Sequence, residues 1–71
     1  MTWILRTPVC TFSILHRRGK FELYADDDFL QSADNPDSLA DNVYTHSSEF
    51  DPWDQSDFDC DDSLSGWTLC R

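Results

Sequence analysis

VCTFSILHRRGKFELYA, residues 9–25, is the stretch that decides the fold. Cys10, Phe12 and Ile14 alternate with Thr11 and Ser13, the period-2 pattern of a half-buried strand. Arg17-Arg18-Gly19-Lys20 then reads as a turn, with a glycine free to take positive φ. Beyond it Phe21, Leu23 and Ala25 alternate with Glu22 and Tyr24. Two alternating runs around one turn predict an antiparallel hairpin, about 9–16 and 20–25. Phe12, Ile14, Phe21 and Leu23 are expected on the face that meets a helix.

Working outward, Thr2–Arg6 is rich in β-formers, with Trp3 and Leu5 on one side, and Pro8 interrupts it. Asp26-Asp27-Asp28 is expected to cap a short apolar segment around Phe29 and Leu30. Asn35-Pro36-Asp37 announces a helix: an Asn cap, a Pro at the first helical position and an acid in the first turn. On a helix near 36–47, Leu39, Ala40, Val43 and Tyr44 share one side, while Asp37, Asp41 and Thr45 share the other. Between Glu49 and Asp62 no helical stripe emerges. Phe58 and Cys60 alternate with Asp57, Asp59 and Asp61, which predicts a short strand or extended segment. Gly66 breaks the chain before a last strand at Trp67–Cys70. The expected class is α+β: a small antiparallel sheet (hairpin about 9–25 plus a C-terminal strand), one clear helix and acidic loops, in a single domain over residues 1–71.

A chain of 71 residues and net charge −9 has a marginal core and strong self-repulsion. Ten aromatic residues argue for folding over disorder. All 14 acids lie between Glu22 and Asp62, and no Lys or Arg occurs from Phe21 to Cys70. Such charge repels nucleic acid and anionic membranes, so direct nucleic-acid binding and membrane association are not expected, and partners should be basic. No apolar run is long enough to span a bilayer and no secretory leader is evident, so a cytoplasmic protein is expected.

Chemistry is sparse. Asp57-x-Asp59-x-Asp61 resembles the opening of a calcium loop, but Asp62 and Thr68 stand where that loop needs Gly and a bidentate Glu. Cys10, His16, His46, Cys60 and Cys70 lack zinc-ligand spacing. Three cysteines in so short a chain read as reduced thiols rather than a disulfide framework, with a single bridge, such as Cys10 with Cys70 between neighbouring strands, as the alternative. No phosphate loop, nucleophile elbow or Cys–His motif is present. The expectation is no metal, no cofactor and no enzymatic activity.

Carboxylates at regular spacing imitate phosphates. Alternate strand residues lie about 6.6 Å apart, and helical i, i+4 neighbours about 5–6 Å, both near the separation of successive phosphates. Asp57, Asp59 and Asp61 would meet the first spacing, Asp37 and Asp41 the second. A protein built this way can occupy a surface whose Lys and Arg evolved to hold nucleic acid. The candidate contact residues are Asp26, Asp27, Asp28, Asp37, Asp41, Glu49, Asp51, Asp54, Asp57, Asp59, Asp61 and Asp62, with Trp53 and Phe58 as aromatic anchors.

An acidic run extends from Asp26-Asp27-Asp28 through Asp57-Phe58-Asp59-Cys60-Asp61-Asp62, with aromatic residues interleaved among the acids. In these features the chain resembles the small acidic inhibitors of phages and mobile elements, particularly anti-CRISPR proteins that mimic DNA, and among them the type I-C inhibitors. The resemblance implies an inhibitor that acts in the cytoplasm of a bacterial host cell and blocks the DNA-binding surface of a CRISPR-Cas surveillance complex; a monomer is expected. These inhibitors share no common motif, and the basic first twenty residues depart from an all-acidic mimic. The competing class is an acidic adaptor or regulatory module that binds a basic protein without competing with nucleic acid.

Overall fold

The computed structural model describes residues 1–70. Strands β1 (Thr2–Arg6), β2 (Thr11–Arg17), β3 (Lys20–Ala25), β4 (Asp28–Ala33) and β5 (Thr68–Cys70) form one antiparallel sheet in the order β4-β3-β2-β1-β5. Helix α1 (Pro36–Tyr44), the short helix α2 (Asp51–Asp54) and a single 3-10 turn at Leu64–Gly66 lie between β4 and β5. The class is α+β, with more strands than the hairpin and C-terminal strand alone.

The central hairpin takes the register its alternation demands. Phe12 stands opposite Ala25, Ile14 opposite Leu23 and His16 opposite Phe21. At its turn Arg18 (φ 53°) and Gly19 (φ 79°) are both left-handed, the pair of positive angles that a two-residue hairpin loop favours. β1 adds Trp3 opposite Ile14 and Leu5 opposite Phe12, extending the apolar face.

Against that face pack Leu39, Ala40 and Val43 of α1, with Trp53 of α2 and Trp67 ahead of β5. Phe12, Ile14, Leu23, Leu39, Val43 and Trp53 have no solvent-exposed surface. Phe12 sits at the centre, edge-on to Trp53 at 5.5 Å and to Phe50 at 6.3 Å. These edge-to-face contacts add to the area burial that drives so small a core.

Four expectations are corrected. Asp26–Asp28 caps no helical segment: Asp26 and Asp27 form the β3–β4 turn, and Phe29 and Leu30 belong to strand β4. Asp26 takes φ 54°, which Asp tolerates better than most residues. It is fixed there by its N–H donating to Thr11 O (2.8 Å) and its carboxylate accepting from Thr11 N (3.1 Å). Helix α1 ends at Tyr44 rather than near 47. Thr45 closes it by donating from its N–H and Oγ1 to Asp41 O, and His46 turns the chain at φ 58°.

Tyr44 is exposed and does not share the buried stripe. The segment around Asp57–Asp61 joins no strand. Clustered aspartates are poor strand formers, and β5 already occupies the free edge of β1.

Candidate functional site

Charge follows the two layers of the fold. Residues 1–33, which make four of the five strands, hold four acids and four bases. Residues 34–66, which make the layer over the inner face of the sheet, hold ten acids and no base. The candidate surface is therefore the outside of the helix-and-loop layer, bordered by the β3–β4 turn.

Most acids of this layer reach that surface for a local reason. Asn35 caps α1, its side chain accepting from Ser38 N at 2.9 Å. That cap, with Leu39, Ala40 and Val43 buried, turns Asp37 and Asp41 outward one helical turn apart. Glu49 (φ 73°) and Asp51 are exposed where the chain turns into α2. Asp57, Asp59, Asp61 and Asp62 are exposed along an irregular segment. Asp26, Asp27 and Asp28 are exposed at the β3–β4 turn, where Asp26 and Asp27 line a groove on the opposite face of the sheet, so the fold does not bring them together with the acids of the helix-and-loop layer. The fixed strand spacing expected for Asp57, Asp59 and Asp61 is therefore not supplied by a sheet; the helical pair Asp37 and Asp41 keeps its own.

Two candidates are structural instead. Asp54 is partly buried and ties the α1–α2 loop: its carboxylate accepts from Ser48 N (3.1 Å), Ser48 Oγ (2.8 Å) and Glu49 N (3.0 Å). Its charge is spent inside the molecule. Asp54→Ala leaves those donors without a partner and is expected to cost about 2–3 kcal/mol of stability. Asp51→Ala on the exposed side of the same helix should stay within about 0.5 kcal/mol, both read by urea unfolding. Trp53 cannot anchor an interface as expected, because it is fully buried and donates from Nε1 to Val43 O at 2.8 Å. Phe58, at 46% exposure, does present its ring.

His46, which no spacing in the sequence singled out, holds the acidic segment in place. Its ring stacks on Trp53 (5.1 Å between centroids, 16° between planes) and its Nε2 lies 2.8 Å from Phe58 O. Ser56 adds a bond from Oγ to Trp53 O at 2.7 Å. The stretch carrying Asp57, Phe58 and Asp59 is thus anchored to the core on its inner side and leaves the carboxylates free on its outer side. Gly66 lies so close to Asp61 that an added Cβ would stand 2.8 Å from the Asp61 Cβ, so the last acidic turn also packs tightly.

The remaining groups offer little reactivity. Burial pushes the Cys10 thiol up to about 11, and burial followed by the Asp61 and Asp59 charges raises that of Cys60. Raised thiol pKa values leave few thiolates, the nucleophilic form. All three cysteines are free. Among the described residues no group of three or more His, Cys, Asp or Glu is placed to hold a metal ion, and no helix is long and apolar enough to cross a membrane. No family model, curated protein or solved structure matches the chain.

Proposed function

We propose that this protein is a binding protein without catalytic activity, an inhibitor that occupies the basic nucleic-acid-binding surface of its target. The observation that carries the reading is the ten-to-none excess of acid over base in the layer covering the inner sheet face. A surface of that kind is attracted to sites evolved to hold phosphate and displaces the counterions that phosphate would displace. A cytoplasmic CRISPR-Cas surveillance complex, of type I-C, is the target we favour, in keeping with the resemblance to anti-CRISPR inhibitors.

The layer also supplies what such contacts need. Asp37 and Asp41 are held by a capped helix, and the Asp57–Asp59 stretch is tethered through His46 and Ser56. Preorganised carboxylates lose less side-chain and loop entropy on binding than mobile ones. Phe58, exposed among them, fits the role of an aromatic contact in an otherwise charged interface.

Competition tests the reading. The candidate complex is loaded with fluorescently labelled target DNA and titrated with the protein. A competitive inhibitor releases the DNA stoichiometrically, and its own affinity falls as salt rises. A ternary complex with undiminished DNA affinity would exclude competition and favour the adaptor class.

A further inference from the structure

The helices and loops cover only one face of the sheet. Because side chains alternate, the buried row through Phe12, Ile14 and Leu23 leaves Ile4, Leu15 and Tyr24 on the other face. Phe29 stands opposite Tyr24, 54% exposed, with the two rings edge-on at 5.7 Å. An antiparallel sheet often leaves one face in water, but that face is then normally polar. Here the face is mixed: an open groove of about 410 Å³ runs over half-buried Ile4, Leu15 and Tyr24, with Thr2 and Ser13 among them. Arg17 lies at one end of it, Asp26 and Asp27 at the other.

We propose that this face docks a second copy of the chain, sheet against sheet. Charge selects the occupant. Two chains of net charge −9 repel most strongly through their acidic layers, and the sheet half, with equal numbers of acids and bases, is the part that lets them meet with those layers pointing apart. The groove is also self-complementary. Arg17 and Lys20 mark the β2–β3 turn end, whereas Asp26 and Asp27 mark the opposite end of β3. A two-fold axis lying in the interface and crossing the strands sets the basic end of each copy over the acidic end of the other, as an isologous contact requires. Five strands of about this length span roughly 24 by 20 Å, which places the contact at the small end of specific interfaces and makes the dimer weak, in the micromolar range. The dimer does not depend on what the acidic layer binds, and it stands as the alternative to the monomer expected from the sequence.

Sedimentation equilibrium with charge-reversed chains tests this. Arg17 is exposed, with only a 4.0 Å contact to Glu22, and Asp27 is exposed in the turn, so reversing either leaves the core untouched. Wild type is expected to dimerise with rising concentration. Arg17→Glu alone and Asp27→Lys alone each oppose like charges across the axis, and each should weaken self-association at least about tenfold. Mixing the two variants in equal amounts restores opposite charges at both ends and should restore the dimer. Thermal unfolding by circular dichroism confirms that each chain is folded. A wild type that stays monomeric up to about 1 mM overturns the proposal and assigns the face to another partner. Variants that associate as well as wild type, or a mixture that fails to recover, overturn it too.

Discussion

Trp53→Ala unfolds this domain at room temperature. The side chain is wholly buried, meets Phe12 edge-on at 5.5 Å, stacks under His46 and donates to Val43 O. Removing a buried tryptophan costs about 3–5 kcal/mol. A domain of this size holds on the order of 5 kcal/mol in total. The substitution also leaves the Val43 carbonyl without its donor and removes the platform on which His46 holds the acidic segment. Trp53→Phe separates these contributions: it keeps most of the ring but loses the indole N–H, and should cost about 1–2 kcal/mol and remain folded. Far-UV circular dichroism and urea titration of the two variants check both outcomes. An alanine variant with a wild-type unfolding midpoint would mean that α2 and the following acidic segment are not integrated with the sheet.

That result bears on what the sequence could convey. The hairpin was legible because strand alternation and turn chemistry are local: Phe12, Ile14, Leu23 and the Arg18-Gly19 turn need only their neighbours to be read. The start of α1 was legible for the same reason, since Asn35 and Pro36 act within one turn. Trp53 was misplaced because a tryptophan among acids reads equally well as an exposed anchor or a core residue. Its burial is decided by Phe12, forty-one positions earlier.

Strand β4 was hidden by composition. Asp26-Asp27 looks like a helix cap until Phe29 is known to pair with Tyr24, after which the same two residues make a hairpin turn. The acidic surface itself was legible as charge, since it is a property of sequence order. Its support was not: Asp54 tying Ser48 to Glu49, and His46 reaching Phe58 O, are contacts between loops that no periodicity encodes.

Reversing Asp57, Asp59 and Asp62 together to lysine is expected to weaken binding to a basic nucleic-acid site by about a thousandfold or more, while the fold survives. All three carboxylates are exposed, and none accepts a hydrogen bond from the protein among the described residues. Each change removes an attractive charge and sets a like charge against the target, and like-charge juxtaposition costs several kcal/mol across an interface. The loss should include a slower association rate, because the field that steers encounter is weakened.

Asp37→Lys with Asp41→Lys, on the helical part of the surface, should act in the same direction. Asp54→Asn is the informative contrast. Its carboxylate already faces Ser48 and Glu49, so any effect on binding should track its effect on stability. Single Asp→Asn changes at exposed positions should cost less than about 1 kcal/mol each, as rim charges do. Surface plasmon resonance at two salt concentrations, with circular dichroism on every variant, measures both terms. Unchanged affinity in the triple variant would sink the charge-mimicry reading, because removing three carboxylates and adding three lysines shifts the net charge of a −9 chain to −3.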